Sequence, residues 1–444
     1  MDILKIVAEL KKYDIVPVPE GDKIRLTGNT EALPARLIET VTANKETLLK
    51  YLHSLQHQMD ADSIPVAAMK PWYPCTAAQK RMWYLSQFDN SEGLYNILVP
   101  VHIRGYADEK KLQSAFSQLV ERHAILRTRF SVIEGQLFQR VGTGQEFTLD
   151  CNDLVLEKDK AGWLRGRIAE LQRLSFQLDK DRLFRVELVK ISSGEYVLLL
   201  VIHHIISDGW SVRIMLQEVV ENYGGGAAGG APLAIQYTDF TEWMEQRLAG
   251  ERSREAIKFW QSRFPEAPPV LSLAFDFRRP PVLTFEGSYL QADMSPTIHT
   301  ALPDFCRQRN TTIFHFLHMA LSIMLSKYSG QSQIVIGVPV SGRIHPQLHN
   351  QLGLYVNTIP LRCDIEREET CNSLLSRLTA EALDAFEFQD LPLDDIIGNI
   401  SVNRDPSRNP LFDVLLVLQS PAPRLVRPEE QLSFELGLPH EYTI

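Results

Sequence analysis

An α/β fold of two similar lobes behind a small separate head is what the chain predicts, on three observations. Residues 196–202 and 334–340 are almost unbroken apolar runs of the length of fully buried strands. Stretches with helical apolar spacing alternate with them, so that helix, strand and buried strand occur in that order twice. Finally, residues 1–52 hold eight acids and eight bases, which cancel, so the remainder carries the whole formal charge of -9.

The head reads in order as helix, hairpin and two short helices. Ile3, Leu4, Ile6, Val7 and Leu10 form a helical apolar face that Pro17 and Pro19 end. A short hairpin around Gly21 then puts Ile24 and Leu26 on one face. Residues 33–41 and a stretch from Asn44, with Leu48, Leu49 and Leu52, are the two helices. Residues 53–70 show no sustained period and read as a linker.

The body follows, with a first lobe expected over 71–270 and a second over 271–444. Leu112, Phe116, Leu119 and Val120 fall at helical spacing, before a strand at 128–132 and a turn at Gly135. Phe184, Val186 and Leu188 alternate with charged residues, Ser193 and Gly194 turn the chain, and 196–202 returns as a buried strand. Val212, Met215, Leu216, Val219, Val220 and Tyr223 then mark an amphipathic helix. Residues 313–325 are apolar nearly all round and helical in length, 334–340 is the second buried strand, and 412–419 is strand-like. The run GGGAAGG at 224–230 reads as a flexible loop; without a preceding strand or a following Lys-Ser or Lys-Thr it is no phosphate loop.

Composition excludes several functions. At about 150 residues per domain, 444 residues are too many for a single small module. Hydrophobic residues at 44% and charged residues at 23% suit a packed core. With 55 acids against 46 bases and no basic stripe, nucleic acid is not an expected partner. The five scattered cysteines show no CxxC spacing, which argues against a disulfide framework or structural zinc and fits a reducing cytoplasm. No apolar run reaches 18 residues and the N-terminus lacks a signal-peptide pattern, so no membrane partner is expected.

The strongest chemical signal is HHIISDG, residues 203–209, where a buried strand gives way to a helix. Side by side at a strand end, His203 and His204 point to opposite faces, so one can be locked into the protein while the other meets a cavity. Asp208 can anchor the loop, and Gly209 removes a side chain where backbone turns sharply or approaches a ligand. Two other readings stay open on these residues alone: a hydrogen-bonded core pair, or a metal site of His203, His204 and Asp208, for which no further ligand is evident. His315 and His318 lie on an apolar helix and read as core, and His345 and His349 flank Pro346 by chance.

Seven motifs in order resemble those of the condensation domains of non-ribosomal peptide synthetases: TAAQKRMWYL (76–85), RHAILRTRF (122–130), HHIISDGWS (203–211), YSGQSQIVIGVPVSGR (328–343), GLYVNTIPLR (353–362), FQDLPLDDII (388–397) and RDPSRNPLFDV (404–414). The HHxxxDG signature alone would indicate only the wider acyltransferase superfamily. Ala124 stands where that family has Glu, and Thr76 where it has Ser. The resemblance implies a chloramphenicol-acetyltransferase-like α/β pseudo-dimer of two lobes, whose second lobe would continue past residue 444. The opening motif and DGWS resemble the class joining an L-configured donor to an L-configured acceptor, and histidine at both positions argues against cyclisation. The head resembles TubC-type docking domains of αββαα order, in which the helix and hairpin, here with Ile24, Arg25 and Leu26, bind the C-terminal tail of an upstream subunit.

The implied reaction is attack of an acceptor amine on a donor thioester, both carried on phosphopantetheine arms of upstream and downstream peptidyl carrier proteins, with no bound cofactor or metal. By the same resemblance the arms would meet at His204 in a tunnel between the lobes. In the family Asp208 pairs with an arginine, here Arg343; the backbone at Gly209 would face the developing oxyanion, with Trp210 and Asn357 as structural support. From other classes, a stand-alone acyltransferase using a soluble thioester and a non-catalytic recruitment module are the alternatives.

Overall fold

The computed structural model describes residues 63–87, 93–143, 146–225, 232–282, 287–419, 425–427 and 432–438, together with 16–20, 23–27, 34, 40, 41, 45 and 49. Two compact units divide the chain, residues 1–65 and 66–444.

In the first unit, β1 (Val16–Glu20) and β2 (Lys23–Thr27) pair antiparallel, with Leu26 opposite Pro17, Arg25 opposite Val18 and Ile24 opposite Pro19. The expected hairpin is present, and both prolines sit within its first strand. A strand of a two-stranded pair keeps one open edge, where a missing N–H costs nothing. Positions 40, 41, 45 and 49 are helical, as the two short helices require. The helix expected over Ile3–Leu10 lies outside the described residues.

The second unit opens earlier than the expected linker allows: the Ala67 N–H donates to Asp239 Oδ1 at 2.8 Å and Lys70 pairs with Glu242, so 66–70 are fastened to the body. Its first elements are β3 (Tyr73–Pro74), α1 (Ala77–Leu85), β4 (Asn96–Arg104), α2 (Glu109–Arg122), β5 (Thr128–Ile133) and β6 (Gln136–Val141). There follow β7 (Asp150–Asp153), α3 (Lys160–Gln172), β8 (Phe184–Ser192), β9 (Glu195–His203), α4 (Gly209–Tyr223), α5 (Tyr237–Ala249) and α6 (Glu251–Arg263). The later part holds α7 (Pro296–Gln308), α8 (Ile313–Ser329), β10 (Gln333–Val340), β11 (Asn357–Asp364), α9 (Cys371–Glu387), α10 (Leu393–Asn399), β12 (Val414–Leu415), β13 (Leu425–Arg427) and β14 (Leu432–Leu436).

The first lobe is built on a sheet in the order β13-β14-β4-β9-β8-β7, with β3-β6-β5 as a small separate sheet. Although β9 pairs antiparallel with both neighbours, it is buried on both faces. Val197, Leu199 and Val201 pack with Leu164, Ile168 and Leu171 of α3, and Leu198 on the opposite face lines a small cavity with Leu216, Val219 and Val220 of α4. Helices on both sides explain the unbroken apolar run, each fully buried side chain contributing about 1.5–3 kcal/mol. The second lobe centres on β11-β10-β12, with Ile334, Ile336 and Val338 packed against Trp260, Ile359 and Leu361.

Two expectations are corrected here. The strand expected over 412–419 is only β12, a two-residue parallel pairing in which Val414 lies opposite Ile336. The second lobe expected over 271–444 does not close on itself either, because β14 pairs antiparallel with β4, Phe434 opposite Ile103. The chain thus returns to complete the first sheet. Gly224 and Gly225 end α4, and the remainder of the glycine run, 226–230, lies outside the described residues.

Candidate active site

Strand β9 delivers His203 as its last residue, and a 3-10 turn (His204–Ile206) leads into α4. Only His203 therefore obeys strand alternation; His204 belongs to the turn, which corrects the expectation of two residues on opposite strand faces. By that alternation His203 shares the α3 side with Val197, Leu199 and Val201, and its ring meets Phe176 edge-on at 6.2 Å. His203 Nδ1 accepts the Ile205 N–H at 3.1 Å, which fixes the proton of the neutral ring on Nε2. Burial, reinforced by the neighbouring His204, lowers its pKa to about 4. His203 also lines a cavity of 820 Å³ with Trp83, Tyr95, Asn96, Phe130 and Phe176. His204 is half-buried, its N–H held by Tyr95 O at 2.8 Å, and its buried Nδ1 makes no hydrogen bond. Of the two rings, that of His203 is committed to the backbone through Nδ1, whereas the Nδ1 of His204 is buried without a partner.

Asp208 caps α4. Its Oδ1 accepts the Ser211 N–H at 2.7 Å and faces Arg343 Nη2 at 3.3 Å, while Oδ2 accepts the Tyr355 N–H at 3.1 Å. Arg343 comes from the loop after β10 in the second lobe. It donates to the carbonyls of Leu348 and Gln351 and to Ser211 Oγ, with its guanidinium 4.1 Å from the centre of the Tyr355 ring. The Ser211 hydroxyl in turn donates to Gly353 O at 2.8 Å. Both charges are buried, so the pair is sustained by these surrounding bonds as much as by mutual attraction. Glycine is obligatory beside it at Gly342, where φ is +63° and a Cβ would lie 1.8 Å from Tyr355 O. The HHIISDG loop of one lobe is thereby bolted to the β10–β11 connection of the other.

Gly209 departs from expectation. It takes the first position of α4 without a positive φ, and a Cβ there would meet nothing within 4 Å. No sharp turn requires glycine at this point; what the missing side chain leaves is open space beside a helix N-terminus, whose first N–H groups have no helical partner. Trp210 is 43% exposed and donates its indole N–H to His349 O at 3.0 Å. Asn357 lies apart from the His–Asp–Arg group: its Nδ2 donates to Gln389 O and Leu391 O, and its Oδ1 accepts the Leu393 N–H, pinning β11 to α10. Asn357 also lines a second cavity, of 430 Å³, with Cys75, Thr76, Phe240, Tyr355 and Asp390. Burial raises the Cys75 thiol there to about 12, so it is a poor nucleophile. Ile24, Arg25 and Leu26 belong to the other unit.

Sequence reasoning missed Ser211, Gly353 and Tyr355, whose hydrogen bonds across the junction span more than 130 positions. It also set His345 and His349 aside as chance. His345 Nδ1 accepts the Gln347 N–H and caps the turn that presents Leu348 O to Arg343 and His349 O to Trp210. A cap residue directly before Pro346 at the first turn position was the available signal. His315 and His318 are buried in the core as expected. Among the described residues, no three His, Cys, Asp or Glu side chains gather as a metal site, and no helix is long and apolar enough to cross a membrane.

Comparison with known proteins places this geometry. The family model described as "Condensation domain" matches residues 69–436. Gramicidin S synthase 2 of Brevibacillus brevis is 35% identical over 384 residues, which are 86% of this chain and 8% of that synthetase. Surfactin synthase subunit 1 of Bacillus subtilis (strain 168) is 36% identical over 360 residues, 81% of this chain and 10% of that subunit. The chain thus spans about a tenth of the length of these relatives. Among solved structures, the X-domain from teicoplanin biosynthesis superposes with a TM-score of 0.71 at 24% identity, over 80% of this chain and 79% of that one. The starter condensation domain of rhizomide synthetase in complex with C8-CoA gives 0.70 at 21%, covering 82% of each chain. At such identities the likeness shows the fold alone.

Proposed function

The chain belongs to the condensation-domain family of nonribosomal peptide synthetases, and from that premise we propose that it forms a peptide bond by attack of a carrier-bound acceptor amine on a carrier-bound donor thioester. Both substrates ride on phosphopantetheine arms, and no cofactor is bound. The observation that carries this reading is the pair of histidines with divided duties, held by the buried Asp208–Arg343 junction. Fixing both reactants makes the step effectively intramolecular, for which effective molarities on the order of 10⁵ M or more are known.

His204, whose Nδ1 is buried, meets the incoming amine with the other ring nitrogen, Nε2. An α-amino group has a pKa of about 7.7–8.0, so roughly a tenth or more of it is neutral near pH 7, and that fraction can attack once the ring of His204 has positioned it. As the amine adds to the thioester carbonyl the oxygen gains charge; the N–H groups of Gly209 and Trp210, at the start of α4 and ahead of the Ser211 N–H that Asp208 takes, are the donors on hand for it. Collapse breaks the C–S bond, the arm leaves as a thiol, and the proton lost by the amine ends on that sulfur. Asp208, Arg343, Trp210 and Asn357 are positioning residues that touch no reacting atom.

Two finer assignments belong to the same reading. The TAAQKRMWYL and DGWS stretches favour an L-configured donor and an L-configured acceptor. The β1–β2 hairpin leaves strand edges to which the tail of an upstream subunit can add, with Ile24, Arg25 and Leu26 on β2. Mass spectrometry of products from a panel of loaded donor and acceptor carrier proteins tests the reaction and the stereochemical class. Dipeptidyl product on the acceptor carrier is expected, and product from a soluble thioester with none from carrier-bound donors would overturn it. Deleting residues 1–52 is expected to abolish binding of an upstream tail peptide; retained binding would refute the docking assignment.

A further inference from the structure

The β5–β6 hairpin carries an oddity that the condensation reading does not use. Arg129 on β5 lies directly opposite Arg140 on β6, so two guanidinium groups share one face of a two-stranded pair. Like charges in that register are destabilising unless something else brings them together. Neither makes an ion pair among the described residues, although the chain as a whole is acid-rich. Arg140 is held in place by stacking over Trp72 at 5.0 Å. Beside them, Arg127 spends its N–H groups on the carbonyls of Val120, Glu121 and Gly142, which brings a third positive charge without a neutralising carboxylate. The three arginines, with Val141, Gly142 and Thr143, line a cavity of 310 Å³. Arg182 feels the same field: burial and then repulsion from Arg129 hold its pKa below the usual value.

We propose that Arg129 and Arg140, backed by Arg127, form a binding site for a phosphate group, taken as free phosphate or as the phosphate end of a longer ligand. Paired planar guanidinium groups in a concave site match the several oxygens of a phosphate, which they grip bidentately. The longer ligand has somewhere to go. Ser131, on the same face of β5 as Arg129 and about 7 Å further along the strand, lines the 820 Å³ cavity that also holds His203. The site stands on the geometry of the hairpin and does not depend on the proposed reaction.

The test is equilibrium binding to the full chain of inorganic phosphate, 4′-phosphopantetheine and pantetheine, which differs from the second only by lacking the phosphate. Both phosphate-bearing probes are expected to bind at least 10-fold more tightly than pantetheine, with a marked loss of affinity as salt rises. Equal affinity for the two would mean that phosphate alone is recognised; tighter binding of phosphopantetheine would place the arm along β5. R129Q and R140Q are each expected to weaken phosphate binding about 10-fold, R129K less, and neither glutamine variant should melt lower, because a repulsive pair is relieved. Phosphate binding unchanged in the double variant, or no preference for phosphate over pantetheine, would overturn the site whether or not the protein forms peptide bonds.

Discussion

Asp208 and Arg343 carry the heaviest structural duty of any two side chains near the histidines. Both are buried, and removing one leaves the other's charge unpaired among partners arranged for the pair. Asp208→Asn or Arg343→Ala is therefore expected to cost about 3–5 kcal/mol, read as a lowered denaturation midpoint; loss of product formation with an unchanged midpoint would contradict the positioning role. His203 makes a separate claim. Its pKa falls from 6.5 to about 4 on folding, so between those values the unfolded state binds a proton that the folded state refuses. Stability from this group is complete above pH 6.5 and declines as pH falls toward 4, by on the order of 3 kcal/mol in all. Denaturation curves from pH 7 to pH 4 check this: the decline should be smaller in a His203→Gln variant, and an equal slope in both would refute it.

At the scale of elements, two glycines on either side of the junction should respond in opposite ways. Gly342→Ala forces a side chain into a left-handed conformation and against Tyr355 O, and a loss of more than about 2 kcal/mol is expected. Gly209→Ala meets open space at the first turn of α4 and should change stability by less than about 0.5 kcal/mol. A large fall in its rate, with melting unchanged, would be the mark of a reactant that passes beside the α carbon; an unaltered rate would remove Gly209 from the reaction centre. Elements defined by local period were legible: β8, β9, α4, α8 and β10 lie where the apolar pattern put them, because helices on both faces leave that pattern unbroken. The turn at His204 was not legible, since nothing in HHIIS marks where pairing with β4 stops. Ser211 and Tyr355 were not either, because their duties arise only when two loops far apart in sequence meet.

At the scale of the whole molecule, the order of the elements hid the return of the chain. β14 pairs with β4 across more than 300 positions, and a five-residue strand carries no label of its partner. Of the seven motifs that made the family legible, three meet at the junction of the lobes, through Asp208 and Ser211, Arg343, and Gly353 and Tyr355. The division at residue 65 leads to a further expectation: a chain starting at Ile64 should keep the main thermal transition of the full-length protein within about 2 °C, read by calorimetry. A collapse of that transition would show that the body depends on the head.

The central claim is that the chain forms a peptide bond at His204. It is tested most directly by comparing His204→Ala with the wild-type chain, using loaded donor and acceptor carrier proteins and reading dipeptidyl product by mass spectrometry. A fall in rate of at least about 10²-fold, with the melting transition retained, is the expected result. Product formation close to the wild-type rate in that folded variant would contradict it.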